Sequence, residues 1–186
     1  MISVRMLLLA ATICLFCPPI LCGQVYMADD QRVSFTSDAP LELIEASSDA
    51  LRAALRTDDQ TFAFRVRISS FEGFNGQLQR QHFNENYLES NRFPEATFQG
   101  RIIERDDLNQ PGTYQVRAKG KFVVHGIAQE RIIPARVVSD GQQLTINCMF
   151  MVPLTDHDIE VPSIVHQKIA SEIVVRVEAV LSLRSP

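Results

Sequence analysis

Residues 114–126 read YQVRAKGKFVVHG and alternate between two kinds of side chain. Every second position from Tyr114 to Val124 is apolar or glycine, and the positions between them are mostly polar or basic. Successive side chains of a β-strand point to opposite faces, so this period of two predicts a strand with one buried and one solvated face. The stretch therefore indicates a sheet whose inner face is apolar.

The same alternation recurs along the chain. In TFAFRVRIS, residues 61–69, the two phenylalanines share a face with Val66 and Ile68, and both arginines face the other way. Gly112 and Asp140-Gly141 are turn signals between such segments. Counting the segments gives about eight strands: RVSFT, LELIEAS, FAFRVRI, ATFQGRIIE, YQVRAKGKFVV, RIIPARVV, LTINCMFMV and IVVRVEAVLSL.

Helical candidates are few. Residues 48–56, SDALRAALR, carry a Ser or Asp cap followed by leucines four apart, which predicts a short helix. Residues 75–90 place Phe83, Tyr87 and Leu88 on one helical face. Residues 163–171 are a third, weaker candidate. The chain is thus expected to be all-β with short helices.

Several antiparallel strands need their edges covered, and closure into a barrel achieves this. An eight-stranded barrel has an interior just wide enough for its own side chains or for one slender ligand. A β-sandwich fits the alternation equally well, because periodicity does not distinguish the two architectures.

The N-terminus has the composition of a signal peptide. Arg5 precedes an apolar run at residues 6–16, two prolines follow, and small or moderate residues end at Gly23. The run is shorter than the roughly 20 apolar residues of a membrane span. We therefore expect a signal peptide over residues 1–23, a single domain over residues 24–186, and a periplasmic or secreted protein without stable membrane insertion. Lipid attachment at Cys22 is the less favoured reading, because bulky Leu21 precedes it.

Cysteine count and charge narrow the function. Three of the 4 cysteines lie in the expected signal peptide, so Cys148 remains alone and its phase indicates a small buried residue. Of the 18 Lys and Arg residues only Arg5 would leave, and all 22 Asp and Glu residues would stay, so the net charge becomes about −5. This charge argues against nucleic acid and anionic lipid as partners. The sequence leaves a homodimer open.

Signatures of catalysis are missing from the sequence. No G-x-S-x-G elbow is present, and none of the 4 histidines has zinc-site spacing. The residues of Asp156-His157-Asp158 would point to opposite faces of an extended chain, so a solvated loop is preferred to a metal site. We therefore expect no enzyme, no metal and no cofactor. What stands out is the aromatic inner face, which either fills the core or lines an apolar pocket.

Three segments together resemble the YceI-like domain family. They are residues 82–102 (HFNENYLESNRFPEATFQGRI), 120–135 (GKFVVHGIAQERIIPA) and 150–177, in the family's order over most of the chain. Phe93 stands where the family more often has Tyr. The positions that match are His82, Phe83, Tyr87, Glu89, Pro94, Phe98 and Gly100 in the first segment, His125 and Gly126 in the second, and Phe150, Asp156, Ile159 and Pro162 in the third.

The resemblance implies a lipocalin-like, eight-stranded antiparallel β-barrel that is exported to the periplasm. It also implies a bound polyisoprenoid lipid, such as an isoprenoid quinone, or another amphiphile as the partner. No cofactor beyond such a lipid is implied. The residues predicted to line the ligand site are Phe62, Phe64, Val66, Phe83, Tyr87, Phe98, Phe122 and Phe150.

Three functions remain open at this point: a lipid carrier, a non-binding barrel module that engages a protein, and an enzyme or redox partner using His82, His125 and Asp156. Residues 82–102 also carry a structural prediction. Since the aromatic helical face must be buried and a strand follows Phe93-Pro94 at once, we expect this helix to lie over or beside one barrel mouth. There it would gate the lumen or simply cap the core.

Overall fold

Strands make up most of the computed structural model, which describes residues 24–184; the predicted signal peptide lies outside the described residues. One short helix, α1 (Gln77–His82), continues into a π-helical turn, Phe83–Tyr87. Single 3-10 turns occupy Ile68–Ser70, Leu154–His157 and Ser163–Val165. The strands are β1 (Val25–Ala39), β2 (Glu42–Ser48), β3 (Arg52–Arg56), β4 (Thr61–Arg67), β5 (Glu95–Ile102), β6 (Gly112–Val124), β7 (Ile127–Ser139), β8 (Gln143–Pro153) and β9 (Glu172–Arg184).

The sheet closes into a barrel because β1 pairs antiparallel with β9, through pairs such as Val33 with Val177. Each later strand, from β3 to β9, pairs antiparallel with the next. β2 and β3 both pair with β1, at opposite ends of that long strand, and so share one position in the wall. Nine segments therefore form the predicted eight-stranded antiparallel barrel.

The predicted helix at residues 48–56 is wrong, because most of that segment is strand β3. Leu51, Ala53 and Leu55 are buried two residues apart, which is the spacing of a strand face. Leu55 pairs with Tyr26 on one side and Phe62 on the other. Pairing with distant strands thus overrides a local helical pattern, as is common for short segments.

The other two helical predictions fare differently. The predicted helix at residues 75–90 is confirmed over α1 and its π turn. Residues 163–171 contain only the 3-10 turn Ser163–Val165. Nowhere in residues 24–184 is a helix both long enough and apolar enough to cross a bilayer.

One end of the barrel is plugged by its own side chains. Tyr26 is fully buried there, and its hydroxyl lies 3.4 Å from Asn109 Oδ1 in the loop between β5 and β6. Leu108 of the same loop is also buried, beside Leu144 and Leu181. Since each buried aliphatic side chain stabilises the fold by about 1.5–3 kcal/mol, this closed end is a major part of the core.

A glycine pair brings β5 and β6 into close contact. Gly100 lies opposite Gly120, and a Cβ atom on Gly100 would lie only 2.1 Å from the carbonyl oxygen of Lys119. A Cβ on Gly120 would likewise lie 2.3 Å from the carbonyl oxygen of Gln99. Backbone atoms cannot yield as side chains do, so both positions require glycine.

The wall opens between β7 and β8, where the backbone ladder covers only part of the two strands. Their ladder ends at the pair Ala135 and Cys148, and the next residue of β7 is Pro134. Proline has no backbone N–H to donate, and it is typical of the edge of a sheet. We call the separation between residues 127–134 and 149–153 the β7–β8 slit.

Two side chains of β7 bridge the slit. The Arg131 guanidinium lies 3.2 Å from Asp156 Oδ2 and also donates to the carbonyl oxygen of Met151. Gln129 Nε2 donates to the carbonyl oxygen of Asp156 at 2.7 Å. Side-chain hydrogen bonds therefore replace the backbone ladder along this part of the wall.

Candidate functional site

An apolar cavity of about 660 Å³ runs from the closed end of the barrel toward α1. Its lining comes from all positions of the wall, from α1 with its π turn, and from the segment before β9. The structure brings together all of the residues predicted for the ligand site, and each lines this cavity: Phe62, Phe64, Val66, Phe83, Tyr87, Phe98, Phe122 and Phe150. Their contact with a ligand stays a prediction.

Aromatic rings form a continuous row along the cavity wall. Phe62 lies 4.9 Å from Phe98, Phe98 lies 6.2 Å from Phe122, and Phe122 lies 5.6 Å from Phe150, measured between ring centroids. Phe98 and Phe150 remain half-buried, so ring surface faces the cavity. The row gives a long apolar molecule contact with aromatic surface from β4 to β8.

The helix covers the other end of the barrel, as the sequence predicted. Phe83 stacks on Phe35 of β1 with the ring centroids 5.3 Å apart and also contacts Phe71 and Phe74. The carbonyl oxygen of Pro94 accepts a hydrogen bond from Ile68 at 2.9 Å, which ties the entry of β5 to the end of β4. The helical segment is therefore held over the end of the barrel by packing and by backbone bonding.

Three segments frame an opening at this end, which we call the mouth: the β1–β2 turn together with Glu42, helix α1, and residues 163–169. Gln79 of α1 donates to Glu42 Oε1 at 2.9 Å, and the backbone N–H of Leu41 donates to the carbonyl oxygen of Gln167 at 2.8 Å. All three segments contribute lining residues to the cavity. The mouth is thus a coherent, hydrogen-bonded frame.

Among the described residues, most polar side chains that line the cavity lie near the mouth, and Arg65 and Thr97 on β4 and β5 are further examples. Glu42, Gln79, His82 and Lys168 are among the lining residues from the three mouth segments. The sequence analysis did not identify these positions as a group. Glu42 could have been found because it shares its inward phase with Ile44, and Gln79 because it lies four residues before Phe83 on the predicted helical face. His82 and Lys168 lie outside these patterns.

Residues of the family motifs meet beside the mouth. The imidazole of His125 lies between two acceptors, with Nε2 3.1 Å from Glu89 Oε2 and Nδ1 3.0 Å from the carbonyl oxygen of His157. The Phe93 ring packs edge-on against His125, and a Cβ on Gly126 would lie 2.5 Å from that ring. The contacts lock the helix–β5 junction to the β6–β7 turn.

The prediction of a solvated loop at residues 156–158 is wrong for His157, because its side chain is fully buried. Nδ1 lies 3.2 Å from the carbonyl oxygen of Ile127, while Nε2 is buried without a hydrogen-bond partner among the described residues and the ring meets Phe122 edge-on. Burial lowers the pKa of His157, because the buried site disfavours the charged imidazolium, and the nearby backbone carbonyl groups only partly offset this. His157 is therefore a neutral structural residue, and its neighbour Asp156 pairs with Arg131.

Cys148 lies on the inner face of β8 and lines the cavity, in the phase that the sequence indicated. Burial raises the pKa of its thiol to about 11. Such a thiol is almost entirely protonated near neutral pH, and the thiolate is the nucleophilic form. Cys148 is thus an apolar part of the wall.

The residues considered for catalysis do not form one site. His82 is exposed on α1, His125 is held by Glu89, and Asp156 is held by Arg131. Across residues 24–184, no three His, Cys, Asp or Glu side chains converge as metal ligands would. The chemically distinctive feature of the described residues is an apolar cavity with a few polar groups at its mouth.

Comparison with known proteins agrees with this architecture. The family model described as YceI-like domain matches residues 26–181. No match is found among curated proteins. The fold resembles a polyisoprenoid binding domain from Saccharophagus degradans, implicated in plant cell wall breakdown, with a TM-score of 0.75 at 11% identity, over 86% of this chain and 98% of that one.

Two further solved structures share the fold. Burkholderia cenocepacia BcnA superposes with a TM-score of 0.67 at 16% identity, over 81% of this chain and 95% of its own. The Campylobacter jejuni YCEI protein gives a TM-score of 0.59 at 12% identity, over 77% and 86%. At identities this low, the structural similarity shows a common fold and nothing further.

Proposed function

Since the chain belongs to the YceI-like domain family, we propose that it holds a polyisoprenoid or similar amphiphile, such as an isoprenoid quinone, inside its barrel. The protein would act by binding and not as an enzyme, as a carrier or buffer of a molecule that water does not dissolve. The Saccharophagus relative that shares this fold is a polyisoprenoid binding domain.

The observation that carries the proposal is the continuous aromatic lining of a roughly 660 Å³ cavity. That volume lies within the range of small-molecule sites, which are mostly apolar with a few placed polar groups. A long chain in the cavity gains roughly 0.8 kcal/mol for each methylene group removed from water, before ordering costs are subtracted. A narrow, ring-lined cavity suits such a molecule.

The orientation of the ligand follows from the polarity of the two ends. Buried side chains, among them Tyr26 and Leu108, close one end, whereas Glu42 and Lys168 lie at the mouth. A buried polar head without hydrogen bonds would be strongly unfavourable. We therefore place the apolar tail at the closed end and the polar head at the mouth.

Export forms part of the proposal. The expected signal peptide over residues 1–23 would direct the barrel to the periplasm or beyond, where a lipid carrier serves the space between or outside membranes. Detection of the protein in a periplasmic fraction, with its N-terminus beginning near Gln24, would support this placement.

The direct test is purification from the native host, extraction with organic solvent and mass spectrometry of the extract. We expect an isoprenoid lipid in near-stoichiometric amount. A Val66→Trp variant with an obstructed cavity provides the comparison and should carry much less. Repeated preparations of folded protein with an empty cavity would refute the proposal and favour a barrel that works through protein contacts.

A further inference from the structure

Exposed aliphatic side chains surround the mouth. Leu41 at the tip of the β1–β2 turn is 66% exposed, Leu78 on α1 is 64% exposed and Ile164 is 91% exposed. They come from the three segments that frame the mouth, and Leu78 also lines the cavity. The apolar lining thus continues outward onto projecting tips. Apolar groups clustered at a cavity entrance mark an interaction surface.

We propose that Leu41, Leu78 and Ile164 form a docking surface for a lipid bilayer of zwitterionic headgroups. Docking would place the mouth against the membrane. Single aliphatic side chains on separate tips can enter the region between headgroups and acyl chains. A stable protein interface instead needs about 800 Å² of well-packed surface on each partner. Three tips that project from separate segments around one entrance, each with polar neighbours, suit the bilayer better.

Part of the backbone at these tips is already hydrogen-bonded. The N–H group of Leu41 is bonded to Gln167, and that of Val165 donates to the carbonyl oxygen of Pro162 at 2.9 Å. Unbonded backbone groups would otherwise be penalised as water is removed. The bonded N–H groups of Leu41 and Val165 therefore add little to the cost of docking.

Charge selects the kind of bilayer. Glu42 and Lys168 oppose each other in sign at the mouth, and the chain as a whole is acidic, with a formal net charge of −4. Such a protein gains no electrostatic attraction from anionic lipid. Zwitterionic headgroups are thus the expected surface.

Docking would let an amphiphile pass between bilayer and cavity without crossing water. The identity of the transferred molecule rests on the proposed function. Docking itself can be measured without any ligand in the cavity. Leu41 and Ile164 lie outside the cavity lining, so their replacement tests docking alone. Ile132, on the outer face of β7, is similarly exposed at 56% and provides a matched control.

The experiment is co-flotation of the chain from Gln24 onward with phosphatidylcholine–phosphatidylethanolamine vesicles. Each serine substitution, Leu41→Ser or Ile164→Ser, should weaken vesicle binding by roughly tenfold, and the double variant by roughly a hundredfold. Ile132→Ser should bind as the parent does. Equal flotation of the double variant and the parent, or no flotation of the parent, would overturn the proposal.

Two further readouts separate the alternatives. Calorimetric titration with a short-chain isoprenoid quinone should be unchanged in the double variant; failure of the parent to bind this quinone refutes the proposed function, while Leu41- and Ile164-dependent flotation still supports docking. Light scattering measures self-association. A dimer that dissociates in the double variant would assign the surface to a second copy of the chain and overturn the bilayer assignment.

Discussion

Ala135→Leu tests whether the cavity is a binding site. Ala135 lies on the inner face of β7, lines the cavity and is only half-buried, so a longer side chain would extend into open space. Leucine adds three carbon atoms at this point. If these displace an equal number of ligand carbons at about 0.8 kcal/mol each, affinity falls by about 2.4 kcal/mol, or roughly 60-fold.

The unfolding free energy of unliganded Ala135→Leu should rise or stay unchanged, although its ligand affinity falls. An added apolar group in an open cavity gains contacts, whereas insertion into a packed core typically costs about 1–3 kcal/mol. We expect the urea midpoint of Ala135→Leu to equal or exceed that of the parent. Ala128→Leu, on the exposed face of the same strand, is the matched control and should change neither quantity.

The assay is isothermal titration with a short-chain isoprenoid quinone, together with urea unfolding of the unliganded protein. A normal Kd for Ala135→Leu would show that the ligand does not occupy this part of the cavity. A loss of stability above about 1 kcal/mol would show that the interior is packed there and not open. Either result refutes the reasoning.

Four further predictions concern other parts of the structure. Gly100→Ala should cost about 3 kcal/mol or more of unfolding free energy through backbone overlap, against less than about 1 kcal/mol for Gly76→Ala, where a Cβ meets nothing within 4 Å; equal urea midpoints would contradict this. The lowered pKa of His157 should make stability fall as pH drops below about 6.5, because the unfolded imidazole takes up a proton that the folded one resists; His157→Asn should flatten urea midpoints measured between pH 7.5 and 5.5, and unchanged pH dependence would reject the assignment. With its pKa at about 11, Cys148 should react with iodoacetamide at pH 8 about a hundredfold more slowly in the folded chain than in urea; comparable rates would be inconsistent with burial. Phe83→Ala should lower stability by about 2–3 kcal/mol and accelerate quinone dissociation in stopped-flow measurements; an unchanged dissociation rate would mean that the helix only caps the core.

The sequence allows the barrel wall to be predicted because each long strand repeats one simple pattern. The alternation in β4, β6 and β8 places Val66, Phe122 and Phe150 on the inner face, and the structure confirms that face. Closure is different, since the pairing of β1 with β9 joins the two ends of the described chain. No local pattern encodes such a contact, and here only the family resemblance favoured the barrel over the sandwich.

Residues 48–56 show why short segments are harder to predict. Leu51 and Leu55 fit a helical face and a strand face equally well, and the partners that decide between them, Tyr26 and Phe62, are distant in sequence or lie beyond a turn. His157 was misjudged for a related reason. Its burial depends on Phe122 and Ile127, which belong to other strands.

The polar parts of the site were the least predictable. Gln79 and Lys168 face the mouth because three separate segments happen to meet there. Arg131 is on the inner phase of its strand, but the sequence pattern alone predicts a solvated side chain there. It pairs with Asp156 because β7 and β8 separate at this position. The surroundings of these polar side chains depend on contacts between segments distant in sequence. Composition and periodicity therefore do not predict them.

The β7–β8 slit is a seam in the barrel wall that no backbone ladder holds. The neighbouring walls, β6 with β7 and β8 with β9, are held by ladders along their length, whereas this seam depends on the torsions of Arg131 and Gln129. Its width can therefore change without breaking a ladder or shifting the register of any strand. Under the proposed function, ligands of different width would be accommodated at this seam. We expect the backbone amides of residues 128–133 and 149–153 that face it to exchange with deuterium before those in the ladders on either side.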